Sequence, residues 1–173
     1  DNGFISESAK ATIREVTSQL GVPIEFATTP AMAAIFRDSL ARFSNVCNGC
    51  FKTIYTLSML RARDLGIPII VTGLSRGQMF ETRLTEEMFR DGRCRPDEID
   101  EAGLAARKVY HRVPDGASRA LDVTAFADDR IFEQVRFVDF YRYCDVSMHE
   151  MLDYLGRTAP WVRPSATGRS TNC

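Results

Sequence analysis

The chain of 173 residues has almost no net charge and no long hydrophobic run. Its 22 lysines and arginines are balanced by 23 acidic residues, so it carries no broad basic bias towards nucleic acid or anionic membranes. The apolar runs are far too short to span a bilayer, and we expect no membrane partner. Hydrophobic residues make up 45% of the chain, which is enough for one domain with a substantial core. The cytosol is the expected compartment.

Cysteine is scarce and unevenly spaced, with five residues in the chain. An odd number without a small-scaffold pattern indicates metal binding or catalysis rather than disulfides. Cys47 and Cys50 form a Cys-x-x-Cys motif, close enough to bind one metal or to cycle as a redox pair. Two thiolates do not complete a tetrahedral site, and Cys173, in a polar segment, is the natural third ligand. Cys94 and Cys144 are expected to be thiols outside this site.

Hydrophobic spacing predicts alternating helices and strands. Helices are expected over about 9–20, 30–43, 51–63, 82–90, 96–110 and 147–155, and strands over 22–26, 67–71 and 135–140. The strands are apolar without alternation, which is typical of a parallel sheet covered on both faces. We therefore expect a three-layer, Rossmann-like α/β domain with a mainly parallel sheet. Residues 1–173 would form this single domain, with 84–133 as a helical insertion.

A polar loop follows the strand predicted over 67–71. The strand ends at Thr72-Gly73, and Arg76 and Gln78 come next. Ligands of open parallel sheets bind at the carboxyl ends of the strands, so this loop is a candidate for contacts to phosphates or a carbonyl. Lys52, directly after the cysteine motif, would point a cation at the bound group. The alternative is a solvated loop without a ligand.

Together these features resemble the PP-loop ATP pyrophosphatases, also called the adenine-nucleotide alpha-hydrolase superfamily. That group includes phosphoadenylylsulfate reductases, tRNA thiolation enzymes and sugar amidotransferases. The opening Asp1-Asn2-Gly3 resembles the exit of the family's second strand, where the backbone contacts adenine. The Cys47–Cys50 helix and the Thr72-Gly73 exit are similar to the thiolation branch, in which a third cysteine follows a late helix, as Cys173 does here.

The resemblance implies an ATP- and Mg²⁺-dependent adenylating enzyme. ATP would activate an acceptor oxygen as an adenylate, and sulfur would then displace AMP. The implied nucleotide-binding residues are Asp1, Asn2, Gly3, Lys52, Thr72, Gly73 and Gln78. Cys47, Cys50 and Arg76 would act in catalysis, and Cys47, Cys50 and Cys173 would hold a 4Fe–4S cluster or Zn²⁺.

Several alternatives stay open within this interpretation. The acceptor would be tRNA or a small molecule such as a sugar, a sulfur- or ammonia-donor protein would be the partner, and a homodimer is one expected assembly. Nitrogen transfer by an amidotransferase is one alternative function, and a metal-binding module without turnover is another.

The chain departs from the family pattern at two places. The family's Ser-Gly-Gly-x-Asp-Ser phosphate loop lies on its first strand, and no such segment occurs here. Since the chain opens on a strand exit and without methionine, we expect that loop to precede Asp1. The branch's histidine and paired acidic residues after the glycine are replaced by Leu74, Arg76, Gly77 and Gln78.

Overall fold

The structure, a computed structural model, describes residues 1–74 and 96–158 and has a mixed α/β fold that is mostly helical. The helices are α1 (Glu7–Gln19), α2 (Met32–Phe43), α3 (Cys47–Asp64), α4 (Pro96–Arg112), α5 (Gly116–Ala120), a 3₁₀ helix (Thr124–Ala127), α6 (Arg130–Gln134), α7 (Phe140–Tyr143) and α8 (Met148–Thr158). The strands are β1 (Ile69–Thr72) and β2 (Arg136–Asp139). Among these helices, none has the length and apolar character needed to cross a bilayer.

The described residues fall into two compact units. The first is formed by Asp1–Met32 and the described residues from Val146 onwards, and it contains α1 and α8. The second is Ala33–Asp145, which contains both strands and nearly all of α2. The cysteine motif and the strand exit after Thr72 therefore belong to the same unit.

The two strands pair in parallel, as the apolar, non-alternating pattern predicts. Their register runs from Ile69 opposite Arg136 to Thr72 opposite Asp139. Because side chains alternate along a strand, each face of this small sheet is defined by four residues. One face carries Ile70, Thr72, Phe137 and Asp139, and the other carries Ile69, Val71, Arg136 and Val138.

The core of the second unit lies on the face that carries Ile70 and Phe137. Its buried members are Met59, Ala62, Phe126, Ile131, Phe132 and Val135, and both strand residues pack against them. α3 thus lies against the sheet, and the residues around the 3₁₀ helix and α6 close the core from another side. The described part of the predicted 84–133 insertion is helical and contributes to this core.

Helix boundaries largely follow the local signals in the sequence. Ser6 caps α1 by accepting a hydrogen bond from the amide of Ala9 at 3.2 Å. At α8, Ser147 Oγ accepts from the amide of Glu150 at 3.2 Å, while Glu150 Oε2 accepts from the amide of Ser147 at 2.8 Å. This reciprocal arrangement is the capping box that the sequence predicts.

The strand predicted over 22–26 is wrong. The segment is not part of a sheet, and Val22 and Ile24 are exposed. A strand needs a hydrogen-bonded neighbour, and Pro23 has no amide hydrogen to donate. Phe26 instead lies beneath the guanidinium of Arg14, 5.1 Å from the ring centroid, so the segment packs back onto α1.

Candidate functional site

The cysteine motif forms the first turn of α3, as predicted. Cys47 is exposed and Cys50 is half-buried. Gly49 between them packs against α2, where an added Cβ would lie 2.8 Å from Ile35 Cγ2 and 3.0 Å from Ser39 Cβ. Glycine at position 49 therefore lets two helices approach closely, and this contact fixes where the two thiols lie.

The first amides of α3 are satisfied by the protein itself. Asn48 donates its amide to Asn45 Oδ1 at 3.2 Å, and Gly49 donates its amide to Ser39 Oγ at 3.0 Å. Ser39 Oγ in turn donates to the carbonyl of Asn45 at 2.7 Å. These bonds fix the start of the helix, and its dipole still favours negative charge on groups near it.

α3 comes directly before β1 in the chain and runs alongside the strands in the opposite direction. Its first turn therefore lies towards the carboxyl ends of the strands. At its far end the Ala62 carbonyl accepts from the amide of Ile67, just before β1 begins. Further back, the Tyr55 ring meets Phe137 of β2 edge-on with centroids 5.0 Å apart. A helix of 18 residues is about 27 Å long, whereas a strand of four residues spans about 13 Å. The cysteine motif therefore lies on the side of the unit towards which the carboxyl ends of the strands point.

The carboxyl ends of the two strands are joined by a side-chain hydrogen bond. Thr72 Oγ1 donates to Asp139 Oδ1, and the two residues lie opposite each other in the register. Asp139 Oδ2 lies 3.9 Å from Nη2 of Arg107, and both side chains are buried. The Arg107 guanidinium also lies over the Phe137 ring, 4.5 Å from the centroid, and over Tyr55 at 5.1 Å.

Gly73 follows this joined end directly, as predicted. It is not among the described glycines with positive φ, and an added Cβ would meet no described atom within 4 Å. Neither backbone strain nor packing in the described structure requires a glycine here.

A cleft of about 290 Å³ opens beside the same strand end. Leu104 and Arg107 of α4 and Phe137 and Asp139 of β2 are part of its lining. Glu101 and Glu133 also line it and are exposed. The buried Arg107–Asp139 pair thus lies between the core and a solvent-accessible surface.

Lys52 occupies a different environment from the one expected for a ligand-binding cation. Its side chain is 1% exposed. Its ammonium lies 2.8 Å from Asp115 Oδ2 and donates to the carbonyl of Val113 at 2.7 Å. The charge of Lys52 is therefore compensated inside the second unit, and contact with a nucleotide stays a prediction.

Asp1, Asn2 and Gly3 lie in the first unit. The Asp1 ammonium donates to the carbonyl of Ala27 at 2.7 Å, and its carboxylate lies 2.8 Å from Lys10 Nζ. The amide of Gly3 donates to Asp1 Oδ1 at 2.7 Å, and Gly3 has φ of 80°. The segment is thus a turn held by its own side chains, and its predicted contact with adenine stays a prediction.

Arg76, Gln78, Cys94 and Cys173 lie outside the described residues. Within 1–74 and 96–158, no group of three or more His, Cys, Asp or Glu side chains is arranged to hold a metal ion. Cys47 and Cys50 supply two thiols, and the third ligand predicted at Cys173 stays a prediction. Cys144, expected outside the site, is half-buried just after α7.

Sequence reasoning missed Arg107 and Asp139, and the same unit contains the buried His111. His111 is 1% exposed and stacks on Phe126 with ring centroids 4.4 Å apart. Burial, together with the positive charges of Lys52 and Arg107, lowers the pKa of His111 to about 3. The one available sequence signal for the contacts among Thr72, Arg107 and Asp139 was an acidic residue, Asp139, at the end of an apolar strand.

Searches against protein-family models, curated proteins and solved structures give no match to this chain. The geometry of the second unit is therefore the basis for any assignment of function.

Proposed function

We propose that this chain is part of an ATP-dependent adenylating enzyme of the PP-loop type that activates an acceptor oxygen for sulfur transfer. The observation that carries the proposal is the placement of two features at one end of a parallel sheet. The Cys47–Cys50 turn begins the helix that runs back alongside β1, so it lies towards the carboxyl ends of the strands, where Thr72 and Gly73 form the exit of β1. Ligand sites of open α/β sheets are found at this end.

Gly73 supports a ligand on the backbone of the strand exit. The described fold gives no steric or conformational reason for glycine there, whereas the close approach of a nucleotide would give one. The Thr72 hydroxyl is already bonded to Asp139, so the proposed contacts at this point are made by backbone groups. The loop beyond it, with Arg76 and Gln78, would extend this surface towards the phosphates.

The uncovered face of the sheet supports the larger three-layer domain that the sequence predicts. Ile69 is 52% exposed and Val71 is 66% exposed, although both are β-branched residues of a parallel strand. Parallel sheets are found with both faces covered, and a sheet of two strands is marginal by itself. Further strands and helices of a doubly wound domain would cover this face and extend the sheet.

The proposed reaction has two steps. The acceptor oxygen attacks the α-phosphorus of ATP, so that an oxygen–phosphorus bond forms and the bond to pyrophosphate breaks. A sulfur nucleophile then attacks the activated carbon, and the carbon–oxygen bond breaks as AMP leaves with the oxygen. Cationic groups near the strand exit would stabilise charge on the phosphate oxygens. Cys47 and Cys50 would be two thiolate ligands of the Zn²⁺ or 4Fe–4S cluster that binds or supplies sulfur.

Pyrophosphate release by the intact protein from its natural gene tests this function. The intact protein should release pyrophosphate from ATP when a thiolation acceptor is added. Stimulation by an ammonia source instead of a sulfur source would favour nitrogen transfer. If the protein binds metal without ATP and releases no pyrophosphate from ATP with any acceptor, only the function of a metal-binding module is left.

A further inference from the structure

Asp139 joins three elements of the second unit at one point. It ends β2, its Oδ1 accepts from Thr72 at the end of β1, and its Oδ2 faces Arg107 of α4. At 4% relative exposure it is a buried carboxylate, which needs such partners to remain stable in the folded protein. We infer that Asp139 is a positioning residue, which fixes the exit of β1 at Thr72 and thereby the backbone of Gly73.

Arg107 determines where the Asp139 carboxylate lies. The guanidinium is 7% exposed and is confined by the rings of Phe137 and Tyr55, so it has little freedom to move. The carboxylate that faces this fixed cation is itself restrained, because moving away would leave both buried charges without their ion-pair partner. Arg107 of α4 therefore restrains Asp139, and Asp139 in turn restrains the hydroxyl of Thr72 that is bonded to it.

Thr72 carries this restraint to the strand exit. Thr72 is the last residue of β1 and pairs with Asp139 in the ladder. Gly73 adds backbone freedom at the same point. The Thr72–Asp139 side-chain bond thus reinforces the strand pairing at the residue immediately before the glycine. This inference rests on the proposed function only in that a nucleotide is the ligand on the Gly73 backbone.

The test compares Thr72→Val with Thr72→Ser. Valine removes the hydroxyl donor, serine retains it, and both leave the buried charges of Arg107 and Asp139 in place. The first measurement is the ¹⁵N order parameter of the Gly73 amide, which is about 0.85 for rigid backbone and below about 0.6 for flexible backbone. We expect a fall at Gly73 in Thr72→Val, no fall in Thr72→Ser, and unchanged values for the core amides of α3.

The second measurement is the affinity of the intact protein for MgATP. Loss of one hydrogen bond that pre-orders a binding segment should weaken binding about fivefold to tenfold in Thr72→Val. Thr72→Ser should bind within about twofold of the wild type by the same argument. Asp139→Asn, which retains an oxygen acceptor for Thr72, should lie between the two if it folds.

The outcomes separate this inference from the proposed function. An unchanged order parameter at Gly73 in Thr72→Val would overturn the positioning role, as would an equal loss of order throughout the core. A changed order parameter at Gly73 with identical MgATP affinity in all variants would show that the restraint does not serve ligand binding. That result would overturn the role of Asp139 in positioning the ligand site. If the wild type does not bind MgATP, the proposed function fails while the order parameters still decide the positioning role.

Discussion

Lys52 and Asp115 form a buried ion pair that ties α3 to the start of α5, with Nζ 2.8 Å from Oδ2. The Lys52 side chain is 1% exposed and the Asp115 side chain 13%. The other oxygen of Asp115 accepts from the amide of Ser118 at 2.8 Å and so caps α5. One carboxylate thus satisfies a helix terminus and a buried ammonium together.

Lys52→Met should destabilise the chain strongly. The substitution retains much of the apolar stem but leaves Asp115 without its cation, which should lower the free energy of unfolding by about 3 kcal/mol. Urea denaturation measures the change. Arg130→Met is the control, because Arg130 pairs with Asp128 at 2.5 Å on the surface and its loss should have a much smaller effect. Equal effects of the two substitutions would show that Lys52 is not a buried structural charge.

His111 should make stability depend on pH. Its pKa is lowered to about 3 in the folded state by burial, with the charges of Lys52 and Arg107 adding to the effect. An unfolded histidine binds a proton below about pH 6.5, whereas folded His111 stays neutral until about pH 3. The stability from neutral His111 is therefore complete above about pH 6.5 and is lost as the pH falls towards 3.

The measurement is the free energy of unfolding between pH 4.5 and 8 for wild type and His111→Gln. The wild type should lose up to about 1.4 kcal/mol per pH unit more than the variant below pH 6.5. His149→Gln, at an exposed histidine of α8, is the control variant. Parallel curves for wild type and His111→Gln would contradict the buried neutral state.

Gly49→Ala should disturb the cysteine turn. The new Cβ would lie 2.8 Å from Ile35 Cγ2 and 3.2 Å from the Ile35 carbonyl, so α2 and α3 would have to separate. We expect a loss of about 1–3 kcal/mol in unfolding free energy by overpacking. Gly156→Ala, whose Cβ would meet no described atom within 4 Å, is the matched control and should not destabilise. A neutral Gly49→Ala would contradict the close packing of the two helices.

Substitutions of the cysteines should fall into two groups by their effect on the amount of bound metal. Cys47→Ser and Cys50→Ser should each reduce bound zinc or iron strongly, as measured by elemental analysis of the intact protein purified anaerobically. The proposal expects the same of Cys173→Ser, whereas Cys144→Ser should retain the metal. If metal is lost in Cys47→Ser and Cys50→Ser but retained in Cys173→Ser, the remaining ligands of the site would be other residues. No metal in the wild type would favour a redox pair.

Local sequence patterns predicted the elements that depend on local chemistry. The apolar runs around 69–72 and 136–139, and Gly66 with φ of 67° after α3, are signals that act within a few residues. The capping box of Ser147 is of the same kind. The strand over 22–26 failed because sheet pairing depends on a partner elsewhere in the chain, which the segment itself does not specify.

Side-chain pairing over long sequence separations was beyond prediction for the same reason. Lys52 finds its counter-charge 63 positions away, and Thr72 finds its acceptor 67 positions away. Lys52 was predicted to face a ligand because it follows the cysteine motif, and its buried pairing with Asp115 is a contact that the sequence did not indicate. The cysteine turn and the Thr72-Gly73 exit were placed correctly relative to their elements, since a helix start and a strand end are local features.

Calorimetric titration of MgATP into the intact protein tests the central claim most directly. The account predicts saturable binding at one site per chain, with affinity at least about tenfold weaker in Gly73→Ala because the added methyl would block the backbone approach. The thermal unfolding midpoint of Gly73→Ala should be unchanged or slightly higher, since alanine fits the described fold there. An absence of saturable heat, or equal affinity of wild type and Gly73→Ala, would contradict a nucleotide site at this strand exit.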